Sequence, residues 1–312
     1  MEGSSSVKMI VWQLYGYQDR ATPLLQRRLL SLATLYSFME VTGMLNDRYS
    51  RQSFLGEHAE TWIGTCIVGI VGLGGGGSHI IQQLAHIGFL HYILYDADIV
   101  KGHNLNRLIG ATRADAVGKL PKIEVARRVI LGLQPDATIE AHQVRWQEHP
   151  EPLRDCDLIF GCVDGLAERR ELEACARRYL IPYIDIGVDV HQVGAEPPQM
   201  AGQVILSMPG EPCLTCMGFL SETDLAREAA RYGDAGSRPQ VVWANGVLAS
   251  TAVGIAVDLL TGWTKALRGP VYLSYYGNPA TVKPHVRLDH LESGTCPHYP
   301  IEQVGDPRFR RL

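Results

Sequence analysis

The chain of 312 residues is long enough for one large α/β domain or two small ones, and its 46% hydrophobic and 20% charged residues are typical of a soluble globular protein. Its formal net charge of -4 leaves no basic excess to neutralise phosphates, which argues against a protein that binds duplex nucleic acid. The 7 cysteines, an odd number in a chain too long to need disulfide staples, favour a reducing, cytoplasmic compartment.

Residues 1–46 are predicted to form a helical extension that precedes the main domain. A flexible "EGSSS" is followed by leucines at helical spacing, among them Leu25, Leu29 and Leu32. We expect this helix to pack on the main domain or on a dimer partner, and a clamp for a partner peptide is the alternative. The main domain then covers residues 47–312.

From residue 65 onward, strand patterns alternate with helix patterns. Strands are predicted at "TCIVGIVG", "HYILYDAD", "ATIEAHQV", "CDLIFGC" and "IPYIDIGV". Helices are predicted over residues 78–89, over "KLPKIEVARRVILGL" and over residues 166–179. Such alternation implies right-handed crossovers and a Rossmann-like, doubly wound, mainly parallel sheet of the α/β class. Further strands are predicted at residues 201–208 and within residues 270–286.

One apolar stretch, residues 241–263, is nearly long enough to span a membrane. Polar residues interrupt it, among them Asn245, Thr251 and Asp258. They favour a buried core helix, so no membrane partner is expected.

The glycine run after the first predicted strand indicates a nucleotide site. Gly72, Gly74 and Gly77 fit the pattern G-x-G-x-x-G, and Gly75 lies inside it. The first glycine of this pattern allows a tight turn, the second lets the backbone approach phosphate, and the third lets helix and strand pack closely. Asp96 ends the next predicted strand about twenty residues later, where an acidic residue holds a ribose hydroxyl. These features leave NAD and ATP open.

Polar residues that follow the strands favour ATP over NAD. They are, in chain order, Asp98, Asn104, Arg107, Lys119, Lys122 and Asp164. The helix macrodipole disfavours lysines at the start of a helix unless they bind an anion. For Lys119, an exposed surface position without a function remains the alternative. Cleavage of a triphosphate needs such cations, because each is worth roughly 4 kcal/mol of gross Coulomb energy at an effective dielectric of about 20. Hydride transfer does not, and Asp164 is the natural oxygen ligand for Mg2+.

The chain resembles the ThiF/MoeB/HesA family, the prokaryotic relatives of ubiquitin-activating enzymes. The matching segments stand in the family's order: "RYSRQ", "VGLGGGGS", "YDADIV", "NLNR", "GKLPK", "GCVDG", "AGQVILSMPGEPCLTC" and "NGVLASTAVGIAVDLLTG". The resemblance implies a ThiF-type fold with additional C-terminal strands, and a homodimer with two ATP sites.

The resemblance also implies an ATP-dependent adenylyltransferase. The C-terminal carboxylate of a protein or peptide attacks the α-phosphate of ATP, which gives an acyl-adenylate and pyrophosphate. By this resemblance Asp96 binds the ribose, Asp164 binds Mg2+, Arg107 and Lys122 stabilise the phosphates, and Asn104 helps to organise the site. The family usually shows "GKPK", and Lys122 is preferred over Lys119 because it keeps the Pro-Lys context of that motif.

Arg51 is implied by the same resemblance to act in trans. It would reach across the dimer as an arginine finger and stabilise the phosphates in the partner's site. The alternative is a surface arginine that pairs with Glu57 or Glu60, worth at most about 1 kcal/mol.

A zinc site is suggested by the family's two C-x-x-C pairs. Cys213 and Cys216 supply the first pair, whereas the second is reduced to "GTCPHYP", with a tyrosine where a cysteine would stand. Cys296 and His298 would complete a tetrahedral Zn2+ site, although the C-x-H spacing is strained for two ligands. His290 is a reserve ligand, and a turn without metal is the alternative.

The segment "MGFLSETDLAREAARYGDAGSRPQVVW" contains no cysteine, whereas family members that form a thioester carry one there. We therefore expect the chain to stop at the acyl-adenylate, or to pass the activated carboxylate to another protein's thiol or amine. The leading substrate is a small ubiquitin-like (β-grasp) protein.

The sequence leaves three alternatives to this substrate and activity. The first is adenylation of a ribosomal peptide C-terminus in peptide-antibiotic maturation. The second is an NAD-dependent oxidoreductase, which would not explain Arg51, Arg107 or Lys122. The third is a catalytically inactive binding module, which the intact polar set argues against.

Overall fold

The computed structural model describes residues 47–192, 194–230, 239–267, 269–291, 296–300 and 305. The predicted helical extension over residues 1–46 lies outside the described residues and stays a prediction. All seven cysteines are described, and all are free thiols.

Eight strands form a single sheet in the order β3-β2-β1-β4-β5-β6-β7-β8. Their bounds are β1 Ile67–Val71, β2 His91–Tyr95, β3 Thr138–His142, β4 Leu158–Gly161, β5 Tyr183–His191, β6 Gln199–Ser207, β7 Val271–Tyr276 and β8 Thr281–Pro284. Strands β1 to β5 are parallel, and β6 to β8 continue the sheet in antiparallel fashion. The predicted mainly parallel sheet with additional C-terminal strands is therefore confirmed.

Seven α-helices are described. They are α1 Ala59–Thr65, α2 Gly75–Ile87, α3 Arg113–Val117, α4 Lys122–Leu133, α5 Leu166–Arg178, α6 Glu222–Ala230 and α7 Val242–Thr261. The sequence predicted α2, α4, α5 and α7 but not α1, α3 or α6. Helices α1 and α3 are only 7 and 5 residues long, too short for a periodic pattern, and α6 buries no residue.

Helices cover both faces of the sheet, because side chains alternate along each strand. Val68 and Ile70 of β1 belong to one core, which also contains residues of α2, α4 and α7. Val71 belongs to the other core, which contains the inward side of α5. This doubly wound packing leaves the carboxyl ends of the parallel strands open to the surface, where the turns after β1, β2 and β4 lie.

Helix α7 is, within the described residues, the one helix long and apolar enough to cross a membrane, with a hydropathy of 1.4. Ala244, Leu248 and Ala252 on its inward side are buried in the first core. The predicted core helix is therefore what the structure contains.

The turn between β1 and α2 is built from glycines that leave no room for side chains. Gly72 has a φ of +88°, and a Cβ there would strike the carbonyl oxygen of Cys162. A Cβ on Gly77 would strike the carbonyl oxygen of Gly72. At Gly75 a Cβ would lie 2.5 Å from Nδ2 of Asn245. Helix α2 consequently begins inside the glycine run, three residues before its predicted start.

We expect Gly77→Ala to lower the free energy of unfolding by about 3 kcal/mol, because the added methyl meets backbone rather than a flexible side chain. Gly132→Ala is the control and should not lower the stability, since a Cβ there meets nothing within 4 Å and its position inside helix α4 suits alanine. Urea unfolding followed by circular dichroism measures both. Equal stability of the Gly77→Ala variant and the wild type would contradict this packing.

Candidate functional site

The carboxyl ends of β2, β1 and β4 lie side by side and bring the predicted site residues together. Val71 is in register with Tyr95 on one side and with Gly161 on the other. The glycine turn therefore lies between Asp96, which directly follows β2, and Asp164, which follows β4. Open α/β sheets bind their ligands at this edge.

The N-terminus of α2 offers an anion site at the middle of this edge. Its N-cap is Gly74, which has no side chain to satisfy the free N–H groups of the first turn, and that turn contains no acidic residue. The free N–H groups and the helix dipole favour a phosphate here. Because the space beside Gly74 is open, a ligand can approach the backbone closely.

Asp96 is held firmly beside this helix N-terminus. Its Oδ2 accepts a hydrogen bond from Leu73 N at 2.7 Å, and its Oδ1 accepts one from Asp98 N at 2.8 Å. The contact with Leu73 ties the acidic residue directly to the glycine turn. The geometry matches that of a carboxylate that meets a ribose next to bound phosphates.

Lys122 is buried and lies against both acidic residues that follow β2. Its Nζ is 2.8 Å from Asp98 Oδ2 and 3.4 Å from Asp96 Oδ2. Partial burial raises the pKa of Asp98, but the hydrogen bond and charge of Lys122 outweigh it and hold that pKa below its ordinary value. Lys119 sits in a turn with a φ of +53° and makes none of these contacts. Of the two candidate lysines, Lys122 is thus the one that contacts carboxylates at this edge of the sheet.

Asn104 organises the loop that carries Arg107. It is buried, and its Oδ1 accepts a hydrogen bond from Lys101 N at 2.8 Å. Arg107 Nη1 donates to His103 O at 2.7 Å and to Asn106 Oδ1 at 2.9 Å. The guanidinium is therefore anchored on its own loop at the edge of the sheet.

Asp164 is exposed at the end of β4, and Gln240 links it to the opposite loop. Gln240 Nε2 donates to Asp164 Oδ1 at 3.3 Å, while Asn106 Nδ2 donates to Gln240 O at 3.0 Å. No sequence motif marked Gln240, because its partners are distant in the chain. Glu228 of α6 accepts hydrogen bonds from Leu166 N and Ala167 N, each at 3.0 Å, and so caps the helix that follows Asp164.

Arg145 is a further cation that the sequence analysis missed. Its charge contributes, after Lys122, to the lowered pKa of Asp98. It also acts to lower the pKa of Glu168, but burial of that residue is the stronger effect and raises its pKa. Arg145 therefore lies between the residues that follow β2 and those that follow β4. It belongs to a loop without a recognisable motif.

Arg51 lies away from the glycine turn of its own chain. It is exposed in the 3-10 helix Asp47–Leu55, and within the described residues it pairs with neither Glu57 nor Glu60. Its neighbour Gln52 donates to Ile87 O at 3.1 Å, which places the segment at the C-terminal end of α2. The phosphate-binding end of α2 is about 18 Å away at 1.5 Å per residue.

Cys213, Cys216, Cys296 and His298 converge into one cluster. The sulfur of Cys216 is 3.6 Å from that of Cys213 and 3.5 Å from that of Cys296. Nδ1 of His298 lies 3.4, 3.3 and 3.9 Å from the sulfurs of Cys213, Cys216 and Cys296. Tetrahedral zinc would space its ligands about 3.6–3.8 Å apart, so this Cys3His set fits it.

The C-x-H spacing that looked strained in the sequence is accommodated, and His290 is not part of the cluster. The hydrogen bond between Cys213 and Cys296 lowers the pKa of Cys296 and raises that of Cys213, while burial raises the pKa of Cys216. A stabilised thiolate is the form that binds metal.

Buried charged residues of α5 hold both halves of this cluster, the first half being Cys213 and Cys216 and the second half Cys296 and His298. Glu173 Oε1 accepts hydrogen bonds from Leu214 N at 2.9 Å and from Ser207 Oγ at 2.5 Å, while Tyr299 OH donates to Oε2 at 3.3 Å. Arg177 donates to Glu211 O at 2.7 Å and to Pro212 O at 3.0 Å. The tyrosine that stands where a cysteine was expected therefore ties the second half of the cluster to α5.

Comparison with known proteins identifies relatives that share the sequence of this chain in part or over most of its length. Ubiquitin-like modifier-activating enzyme 5 of Drosophila willistoni is 30% identical over 164 residues, which cover 48% of this chain and 38% of the relative. Protein HesA of Leptolyngbya boryana is 25% identical over 269 residues, which cover 84% of this chain and 87% of HesA. The chain thus spans well under two thirds of the modifier-activating enzyme.

A similar fold occurs in the crystal structure of E. coli MccB with AMPCPP and selenomethionine MccA. The TM-score is 0.64 at 18% sequence identity, and the match covers 78% of this chain and 72% of MccB. The sequence model of the ThiF family matches residues 48–295. Sequence and fold agree with the motifs, and the chain belongs to the ThiF family.

Proposed function

We propose that the protein is an ATP-dependent adenylyltransferase. It would activate the C-terminal carboxylate of a small ubiquitin-like protein as an acyl-adenylate and release pyrophosphate. One observation carries the proposal: an uncapped glycine helix N-terminus lies between Asp96 and Asp164 on a single sheet edge. Membership of the ThiF family and the similarity to a ubiquitin-like modifier-activating enzyme support ATP use and this class of partner.

The geometry suggests a role for each group. The phosphates bind at the N-terminus of α2, and Asp96 accepts a ribose hydroxyl beside them. Asp164 is exposed and supplies a carboxylate oxygen for Mg2+, which prefers oxygen ligands and screens the charge of the phosphates. Arg107, on the loop ordered by Asn104, stabilises the pyrophosphate as it leaves.

Lys122 has two functions in this proposal. Its ammonium neutralises Asp96 and Asp98, which otherwise would repel the incoming triphosphate. Lys122 also lines a small, mainly apolar cleft together with Leu73, Ser78, Ile81, Leu108, Ile109, Val125, Ala126 and Val129. In this proposal the ammonium exchanges a carboxylate partner for a phosphate when the nucleotide binds.

The activated carboxylate is proposed to leave as the adenylate or to pass to another protein. A thioester would need an accessible thiol of low pKa. Cys162, the cysteine nearest Asp164 in sequence, has a pKa raised by burial. Cys213, Cys216 and Cys296 belong to the Cys3His cluster.

We also propose that the Cys3His cluster binds Zn2+ in a structural role. Four protein ligands close a tetrahedral site and leave no open position for a substrate. The cluster joins the segment after β6 to residues 296–300, and α5 supports both. Zinc there would hold the chain's C-terminal part on the domain.

A homodimer with Arg51 acting in trans completes the proposal. Arg51 belongs to a segment anchored at the end of α2 opposite the phosphate site, so its own guanidinium is remote from its own nucleotide. Its exposure leaves it available to a second subunit. A guanidinium from the partner would add positive charge where pyrophosphate forms.

The reaction predicts ATP–pyrophosphate exchange that depends on Mg2+ and on a β-grasp protein with a free Gly-Gly C-terminus. Asp164→Ala is expected to lower the exchange rate about 100-fold or more, because the metal loses its ligand. The melting temperature should not change, since Asp164 is exposed. Radiolabelled pyrophosphate incorporated into ATP measures the rate.

Asp136→Ala is the control, because this exposed aspartate lies at the opposite edge of the sheet, before β3. The same β-grasp protein without its last two residues should give no exchange. Exchange with a short precursor peptide instead would favour the peptide substrate. Full exchange in Asp164→Ala, or tight NAD binding without ATP binding, would contradict the assignment.

The metal site predicts about one zinc per chain by elemental analysis of the purified protein. Cys213→Ser should lose most of the zinc, because one of four ligands becomes a poor one. Cys66→Ala, at a buried cysteine outside the cluster, should retain it. If Cys213→Ser keeps both its zinc and its melting temperature, the cluster is not a metal site.

The trans arrangement predicts complementation between two inactive variants. Arg51→Ala should fold, dimerise and bind ATP, yet lose roughly 100-fold in exchange rate. A heterodimer of Arg51→Ala with Asp164→Ala should regain one working site, built from Asp164 of one subunit and Arg51 of the other. Differently tagged subunits, purified through both tags, give the heterodimer. Absence of recovery would exclude the trans role.

A further inference from the structure

A buried ion pair joins the helix after Asp164 to strand β5. Arg169, in the first turn of α5, is 5% exposed, and Asp185 is fully buried. Arg169 Nη1 lies 2.6 and 2.5 Å from the two oxygens of Asp185 and donates to Ile186 O at 2.9 Å. The guanidinium is therefore fixed on β5, beyond the point where β4 ends.

The second terminal nitrogen of the same guanidinium holds the turn that carries Asp164. Arg169 Nη2 donates to Val163 O, the carbonyl of the peptide bond that leads into Asp164. Burial disfavours the charged guanidinium, but the charge of Asp185 above all, with a smaller contribution from Asp164, raises the pKa of Arg169. One side chain thus spans from β5 to the backbone of the β4–α5 turn.

Further residues around Asp185 donate hydrogen bonds to its carboxylate and leave room for the Arg169 side chain. Tyr183 OH donates to Asp185 Oδ1 at 2.9 Å, and Gln203 Nε2 donates to Oδ2 at 3.1 Å. A Cβ on Gly187 would lie 2.6 Å from Arg169 Nη2 and from Gln203 Nε2, so a glycine is needed there. Both oxygens of the Asp185 carboxylate therefore accept hydrogen bonds from Arg169 and from one further side chain.

Stability alone does not explain such a pair. Moving two charges out of water is costly, and well-packed apolar residues in the same place are often as stabilising or more so. A buried charged pair is better explained by the geometry that it specifies. The geometry specified here is that of the turn between Val163 and Leu166, whose other end is held by Glu228.

We propose that Arg169 and Asp185 are positioning residues that fix the β4–α5 turn so that the Asp164 carboxylate faces the nucleotide and binds its Mg2+. This inference rests on the proposed function, because it assigns Asp164 to the metal. Neither Arg169 nor Asp185 needs to touch the nucleotide. Loss of the pair leaves the helix N-terminus intact for phosphate and displaces the metal ligand alone.

The test uses Mn2+ as a paramagnetic substitute for Mg2+ in the protein saturated with ATP. Electron paramagnetic resonance of free Mn2+ gives the metal affinity of the complex, and ATP affinity is measured separately in the presence of EDTA. No protein substrate is required. Asp164→Ala provides the value for loss of the metal ligand.

Three variants separate positioning from stability. Arg169→Lys keeps the charge but cannot contact Asp185 and Val163 O together. Asp185→Asn keeps the shape but removes the charge. The double variant Arg169→Met with Asp185→Leu removes both charges together and so avoids an unpaired buried ion. Arg170→Lys is the control, because Arg170 is the next residue, is exposed and pairs at 3.5 Å with the exposed Glu222.

We expect all three test variants, Arg169→Lys, Asp185→Asn and the double variant, to bind Mn2+ about tenfold more weakly than the wild type, with ATP affinity changed less than twofold. The control, Arg170→Lys, should match the wild type. If any of the three test variants has a wild-type circular dichroism spectrum and binds Mn2+ normally, the pair has only a structural role and the inference is wrong. If the wild type binds no ATP, the proposed function itself fails, and this is a distinct result.

Discussion

The contact between the backbone of α2 and the turn after β1 is the constraint on which the nucleotide site depends. Gly77 lies against Gly72 O, and Gly72 lies against Cys162 O, so helix, turn and the end of β4 are within contact distance of one another. This closeness aims the N-terminus of α2 along the sheet edge. It also fixes how far Asp96 and Asp164 stand on either side of the proposed phosphate site.

Negative charge is concentrated at that edge, and the fold stabilises it with cations from different parts of the chain. Lys122 approaches Asp96 and Asp98 from the start of α4, while Arg145 approaches from the loop after β3. Asp185 is deeper and receives a fully buried partner, Arg169. Water screens the charge of the exposed Asp98, whereas the fully buried Asp185 requires a matched counter-ion.

Helix α5 connects the two polar centres of the molecule. Arg169 in its first turn holds the turn of Asp164, and Glu173 and Arg177 in its later turns hold the segments that carry the Cys3His cluster. The helix is therefore charged on a side that is buried, which is unusual for a helix in a doubly wound sheet. The proposed zinc site and the sheet edge near Asp164 are therefore both held in place by helix α5.

The sequence by itself determined the parallel sheet, helices α2, α4, α5 and α7, the glycine turn and the residues of the sheet edge. It did so because periodicity, glycine spacing and strand ends are local properties of the chain. It also placed His298 among the candidate zinc ligands, although the spacing to Cys296 looked unfavourable, and the structure brings His298 into the cluster. The motifs named the candidate site residues but not the contacts between them.

Only the tertiary structure decided which side chains contact one another at these sites. Gln240 meets Asp164 across 76 positions of sequence, and Arg169 meets Asp185 across 16. Such pairs follow from how strands and helices pack, and no local pattern records them. The sequence did not predict helix α6, and the structure shows what holds it: Glu228 accepts hydrogen bonds from the backbone at the start of α5, a contact between residues about 60 positions apart.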